Sequence, residues 1–176
     1  MPESWAWCRL CHVGEIVGGG TPSAGDSSNW KGGEIAWITP ADMGDIGKYA
    51  SHGARDITES GLARSPAKLM PPGAVIYSSR APIGHIAIAA NSLCTSQGFK
   101  SLVPLAGLVP EYAYYALIFL TPAIRSRASG TTFKEISGRE LGQVLIPLPP
   151  TAEQTRIAEL ADRLLSSLDR LCRREP

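Results

Sequence analysis

The sequence predicts an α+β fold: a mixed domain over residues 1–148, followed by a long amphipathic helix within residues 149–176. Three observations carry this. Residues Leu141, Val144, Leu145, Ile146 and Leu148 form an apolar run that Pro147, Pro149 and Pro150 cut off, and a helix-period pattern begins beyond them. Upstream, short apolar stretches bounded by glycine and proline read as strands at residues 35–39 and across residues 75–88. Between these regions, residues 110–120 place Tyr112, Tyr115, Ala116 and Phe119 at helical spacing.

Taken in order, Trp5, Trp7, Leu10, Val13, Ile16 and Val17 make an apolar opening that ends in Gly18-Gly19-Gly20-Thr21-Pro22-Ser23. Glycines admit backbone angles closed to other residues, so this run is either a turn or a nest of convergent amides fit for a phosphate. Residues 29–40 read as a turn into a strand, with Ile35, Trp37 and Thr39 on one face, Ala36 and Ile38 on the other, and Trp30 and Trp37 as core anchors. Residues 45–65 are rich in glycine and charge, and residues 71–88 read as a hairpin whose connecting loop carries Ser79 and Arg80. Arg80 there either faces outward or pairs internally with an acid. Thr95-Ser96-Gln97-Gly98-Phe99-Lys100 follows a further strand. The tyrosines of the 110–120 helix serve its core or stack on bases. Residues 128–136 form a hydroxyl-rich loop containing Thr131, Thr132 and Lys134, suited to a phosphate.

In the terminal helix, Thr151 and Gln154 stand at the spacing of a capping box. Ile157, Leu160, Leu164, Leu168 and Leu171 then recur at steps of three and four, widened by Ala161 and Leu165. Arg156, Glu159, Asp162, Arg163, Asp169, Arg170 and Arg173 fall opposite. That stripe lies either on the chain's own core or against another helix.

A chain of 176 residues with 44% hydrophobic and 19% charged side chains suits one soluble domain with an appendage. No apolar run reaches the ~20 residues of a membrane span, and the first ten residues lack the basic and apolar regions of a signal peptide, so a cytoplasmic location is expected. The net charge of +1 hides a gradient: residues 48–139 carry ten basic side chains against four acidic ones, while both flanks are net acidic. A basic middle suits one-sided phosphate contact, although scattered surface charge gives the same sum. Cys8-Arg9-Leu10-Cys11-His12 has the form of a c-type haem attachment, but Cys94 and Cys172 supply no second close pair for zinc, and reduced thiols are expected.

Five landmarks in this order resemble the DNA-specificity subunits of type I restriction-modification enzymes. They are the Gly19-Gly20-Thr21-Pro22-Ser23 loop; Ile35-Ala36-Trp37 with Thr39 and Asp42 after it; the 71–88 hairpin with Pro72-Gly73, Ser78-Ser79-Arg80 and Ile83-Gly84; Gly130 to Ile136; and Pro149-Pro150-Thr151-Ala152-Glu153-Gln154-Thr155-Arg156-Ile157. Residues 57–62 also resemble a short capped helical turn of the family. Ser96 stands where family members commonly carry asparagine before Gln97-Gly98.

The resemblance implies a single target recognition domain with one conserved spacer or dimerisation helix, either a natural half-subunit or a fragment. It implies sequence-specific binding of double-stranded DNA without catalysis, directing adenine methylation and cleavage performed by partner subunits. S-adenosylmethionine and ATP with magnesium would be bound on those partners, and this chain would hold no cofactor or metal. Consistent with that, the sequence has no Walker loop, no adenine-methyltransferase motif, no nuclease motif, and three histidines without carboxylate spacing. Gly19, Thr21, Thr39, Arg64, Ser79, Arg80, Gln97, Lys100, Thr131, Thr132 and Lys134 are the expected DNA-contacting residues. Ile157, Leu160, Leu164, Leu168 and Leu171 are expected to meet a partner helix, in a modification subunit or in a second copy. The alternative is a decoy that occupies the modification subunit through its helix without reading DNA.

Overall fold

The computed structural model describes residues 2–80, 82–130 and 134–172, apart from the side chains of Asp169 and Cys172. It has the mixed architecture expected. A five-stranded sheet has the order β2-β9-β6-β7-β4, formed by β2 (Gly14–Gly18), β4 (Tyr49–Ala50), β6 (Val75–Tyr77), β7 (Ile86–Ala89) and β9 (Lys100–Pro104). A second sheet has the order β5-β3-β8, with β3 at Ile35–Ile38, β5 at Arg55–Ile57 and β8 at Leu93–Thr95. The 71–88 hairpin forms, with Val75 opposite Ile88 and Tyr77 opposite Ile86.

Side-chain alternation explains the layering. On β6, Val75 and Tyr77 face a core that holds Leu117, Ile124 and Leu141, while Ile76 faces Ile38, Leu93 and Phe99. On β3, Ala36 and Ile38 join that second core, and Trp37 points into a third with Trp30, Ile57 and Cys94. Both sheets are therefore buried on both faces, with period-2 alternation sorting residues between neighbouring cores. Each fully buried side chain such as Tyr77 or Phe99 stabilises the fold by ~1.5–3 kcal/mol.

The N-terminal segment folds as β1 (Ala6–Arg9), a one-turn helix α1 (Leu10–Val13) and then β2. Helix α2 (Glu59–Ala63) is the short capped turn, with the Thr58 hydroxyl accepting from the Gly61 amide at 3.0 Å. Toward the C-terminus, α4 (Gly138–Gly142) takes Leu141 out of the expected strand, and β10 (Leu145–Leu148) pairs antiparallel with β1. Pro147 is tolerated in β10 because the β1-β10 sheet has only two strands, both edges. This pairing joins the two ends of the domain.

Helix α3 (Pro110–Arg127) continues through Pro122 beyond the expected end near residue 120. Ile124 is fully buried and Arg125 Nε donates to the Ile83 carbonyl at 2.8 Å, so tertiary contacts outweigh the proline penalty. The buried stripe is Tyr112, Ala113, Leu117, Thr121 and Ile124. Tyr112 is thus a core residue, whereas Phe119, expected on the same face, is 82% exposed.

Helix α5 (Thr151–Cys172) begins at the proline stop, but the capping box does not form. Pro150 has no N–H to receive Gln154, whose side chain turns inward and is fully buried. Its Oε1 accepts from the Val109 amide at 2.8 Å, and its Nε2 donates to the Gly107 and Pro149 carbonyls at 2.9 and 2.8 Å. Further along, Asp162 accepts from Lys48 and from the Tyr115 hydroxyl. Helices α3 and α5 therefore run side by side in the same direction, Val109 beside Gln154 and Tyr115 beside Asp162.

Candidate nucleic-acid interface

Strand directions gather distant loops on one rim. Because β9 is antiparallel to both β2 and β6, the ends of β2 and β6 meet the start of β9. The turn from β8 into β9 sits there as well, and β3, parallel to β8, ends beside it. Turn 96–99 is the hub: Ser96 N donates to Ile38 O at 2.8 Å, and Ser79 N donates to Gly98 O at 2.8 Å. The same turn supports the glycine loop, through Gly19 N to Phe99 O at 3.2 Å and Gly20 N to Thr95 O at 2.8 Å.

Those two bonds overturn the phosphate-nest reading. The Gly19 and Gly20 amides are consumed by the hub, and neither residue has a positive φ. Glycine is needed there for close approach: a Cβ on Gly19 would lie 1.8 Å from Ser96 O, and one on Gly20 would lie 2.2 Å from Ala67 N. Gly19 thus shapes the rim and offers it no free amide.

Ser79 is also corrected. It is fully buried, and its hydroxyl donates to Gly98 O at 3.2 Å, so it fixes the hairpin loop against the hub and presents nothing to a base edge. Arg80, one residue further, is exposed and pairs with Glu135 at 3.1 Å, the internal acid left open by the sequence. Lys100 meets the other oxygen of the same carboxylate at 3.4 Å. Burial alone would raise the Glu135 pKa, but the two cations outweigh it and hold the carboxyl below its ordinary range. One acid therefore half-neutralises both cations. Glu135, in the Gly130 to Ile136 landmark, was the keystone that sequence reasoning missed.

Thr21 and Gln97 are both exposed, and the Thr21 hydroxyl donates to the Gln97 side-chain oxygen, which orients the amide. Thr39 is turned inward, its amide and hydroxyl both donating to Asp42 Oδ2 at 2.7 Å. Burial opposes ionisation of Asp42, yet these bonds and the Ala54 amide at 3.0 Å lower its pKa overall. Arg64 stands apart from the hub, 3.6 Å from Asp26 and largely exposed. Lys134 is exposed next to Glu135, and Thr131 and Thr132 lie outside the described residues. The rim thus brings together Thr21, Gln97, Arg80 and Lys100 over a scaffold that includes Gly19 and Ser79.

The helix has its own geometry. At about 100° per residue, Gln154, Ala158 and Asp162 define a docked side roughly a third of a turn from the leucine stripe. Ala158 is buried and Ile157 packs on the domain core, so Ile157 leaves the expected partner seam. Leu160, Leu164, Leu168 and Leu171 are 49–61% exposed. Lys48 locks the docked side, its ammonium 2.7 Å from both Asp162 oxygens and 4.8 Å from the Tyr115 ring centroid.

Cys8, Cys11 and Cys94 carry free thiols, and burial pushes the Cys94 thiol up to about 11, with Glu59 adding to the effect. Among the described residues, no three His, Cys, Asp or Glu side chains converge as a metal site, and no helix is long and apolar enough to cross a membrane.

A sheet domain thus collects remote loops onto one rim and projects a helix whose leucine stripe is exposed. The chain belongs to the family described as the type I restriction modification DNA specificity domain, which matches residues 2–174. It is 40% identical over 161 residues to the type I restriction enzyme MjaIX specificity subunit of Methanocaldococcus jannaschii, covering 90% of this chain and 37% of that one. The EcoR124I/EcoR124II specificity subunit of Escherichia coli is 29% identical over 166 residues, covering 89% and 40%. Among solved structures, the HsdS subunit from Thermoanaerobacter tengcongensis superposes with a TM-score of 0.77 at 31% identity, over all of this chain and 41% of that one. A chain from a structure of type I R-M complex assembly and conformational transition gives 0.79 at 32% identity, over 98% and 41%. The chain spans about two fifths of the length of these relatives.

Proposed function

We propose that this chain is a DNA-reading domain of a type I specificity subunit, covering residues 1–148, with residues 149–176 as the spacer and pairing helix. It binds double-stranded DNA by sequence at the 96–99 rim. It performs no chemistry of its own and directs adenine methylation and cleavage carried out by partner subunits in the cytoplasm. The observation that carries this reading is convergence: the family landmarks, spread from Gly19 to Glu135, meet at one hub turn. Arg80 and Gln97 are the exposed side chains with the right chemistry for base edges, an arginine fork for guanine and an amide for adenine. Lys100, Arg64, Thr21, Lys134, Thr131 and Thr132 serve the backbone, and Thr39 and Ser79 hold the loops.

Selection of bound sites from random duplexes, with the modification subunit present, tests this directly. A reader enriches one sequence and loses affinity steeply as salt rises. Recovery of no preferred sequence sinks the proposal. The exposed Leu160 to Leu171 stripe also fits the decoy reading, in which the helix occupies a modification subunit and the rim is idle. A decoy enriches no duplex and still co-purifies with the modification subunit.

A further inference from the structure

Several cations at and around the rim are already paired. Arg80 and Lys100 share Glu135, Arg64 faces Asp26, and Lys48 is held by Asp162. Lys31 and Arg55 have no ion-pair partner among the described residues. Both line one open groove of about 330 Å³, together with Ala24, Gly25, Ser27 and Trp30, and no carboxylate is part of its lining. Asp26, next to Ser27 in sequence, is engaged elsewhere, accepting from Ser28 N and Oγ at 3.0 and 2.6 Å and facing Arg64.

The Arg55 guanidinium is pre-set. Its central carbon lies 3.7 Å from the Trp30 ring centroid. Trp30 is itself fixed, buried, with Nε1 donating to Ser23 O at 2.9 Å and its ring edge-on to Trp37 at 5.2 Å between centroids. Stacking on an aromatic face orders a guanidinium without neutralising it, and leaves its in-plane N–H fork free for anionic oxygens. Contact with Glu135 does the opposite for Arg80.

We propose that this groove is a phosphodiester-binding subsite, in which Arg55 and Lys31 grip the DNA backbone beside the reading rim. The proposal rests on the DNA-binding reading above. Arg55 stands opposite Trp37 in the β3-β5 ladder, and Trp37 Nε1 donates to Gly20 O at 2.9 Å. The loop of residues 20–31 therefore has Thr21 and its partner Gln97 at one end and the groove at the other. A duplex lying across Gln97 would present a phosphate to the groove while a base edge meets the rim, and the subsite carries register and affinity without sequence information.

The test uses the full chain with its modification subunit, titrated with duplexes of preferred and scrambled sequence over a range of salt. The pair Lys31→Gln and Arg55→Gln together should weaken every duplex alike, leave base preference unchanged, and flatten the salt slope by about one unit. Ala24→Glu, which removes no contact and adds an acid to the lip, should weaken binding most at low salt. Arg55→Lys, which keeps the charge, should keep the slope. Wild-type affinity and slope in the double variant and in Ala24→Glu would overturn the subsite while leaving the rim intact, as would altered base preference. If the wild type binds no duplex, the DNA reading itself falls, and the subsite with it.

Discussion

Lys48 Nζ lies 2.7 Å from each carboxylate oxygen of Asp162, joining a loop of the sheet domain to the middle of the long helix across 114 residues of sequence. Lys48 is mostly shielded, and three tyrosine rings, of Tyr49, Tyr114 and Tyr115, stand within 5.7 Å of its ammonium. Burial disfavours the Asp162 charge, but Lys48 and the Tyr115 hydroxyl outweigh it and lower its pKa below the ordinary 3.8. Burial, reinforced by the same carboxylate, pushes the Tyr115 phenol well above its usual range.

Asp162→Asn should therefore cost about 1 kcal/mol, the upper end for a pair with one half-exposed partner, or ~2–4 °C in Tm for a chain of this size. A carboxyl with a lowered folded pKa stabilises fully above its unfolded pKa and loses that contribution as pH falls through the folded one. The gap between wild type and Asp162→Asn should accordingly be constant at neutral pH and close below pH 3.8. Thermal unfolding of both from pH 7 to pH 2 measures it. A gap independent of pH would assign the loss to packing.

Gln154 anchors the start of the same helix. Gln154→Ala would leave the half-buried Val109 amide and the buried Pro149 carbonyl without their partner, while the carbonyl of exposed Gly107 can turn to water. Each orphaned group costs ~1–3 kcal/mol, so the two shielded groups together imply a loss of roughly 2–6 kcal/mol. Gln154→Glu should be nearly as harmful at neutral pH, because a carboxylate then faces two carbonyls, and should recover as acid protonates it. Denaturant unfolding at pH 7 and pH 5 distinguishes the two variants.

Gln154 also marks where sequence reading stops. Its position predicted a helix start correctly, because the prolines and the apolar period are local signals. Its role was misread because two of the three groups it binds, at Val109 and Gly107, lie over 40 residues away, outside that local pattern. The alternation at β3 and the hairpin at residues 75–89 were legible for the same reason the helix was. Ser79 and Arg80 were legible as a loop, but which of them turns inward depends on Gly98 and Glu135, partners that only the folded sheet brings near. The stripe on the last helix misassigned Ile157 for a related reason: sequence period locates an apolar face, while docking is decided by Gln154, Ala158 and Asp162, about a third of a turn away.

Glu135 lets charge and readout be separated at the rim. Glu135→Gln releases Arg80 and Lys100 from a shared carboxylate, so affinity for all duplexes should rise and the salt slope steepen by ~1 or more, with discrimination reduced. Arg80→Ala should instead relax preference at one base pair, at a cost of ~1–3 kcal/mol. If Arg80→Ala lowers affinity equally for all sequences, Arg80 is a backbone contact.

Lys134 is exposed beside Glu135 and is not an expected base reader. Lys134→Ala should weaken all duplexes to the same degree and flatten the slope by about one unit. An unchanged slope removes Lys134 from the interface.

The last prediction concerns what covers the helix. Its 22 residues span about 33 Å at 1.5 Å per residue, close to the ~34 Å of one DNA turn. With Ile157 committed to the domain, Leu160, Leu164, Leu168 and Leu171 remain at steps of four, four and three, a spacing that suits helix pairing. Leaving them in water is unfavourable by several kcal/mol at ~25 cal/mol per Å² of apolar area. Two copies pairing antiparallel about a twofold axis near Leu164 would hold two rims at opposite ends, spaced for an inverted repeat with an unread gap. Leu164→Glu places a charge at the centre of that stripe, where the side chain is 57% exposed and belongs to none of the three core clusters. Light scattering should then give a dimer for the wild type and a monomer for Leu164→Glu, both with native unfolding profiles. A wild-type monomer that gains mass only with a modification subunit, and a variant that does not, assigns the stripe to that partner instead. A monomer in both, with no gain of mass on adding the modification subunit, ends the pairing idea.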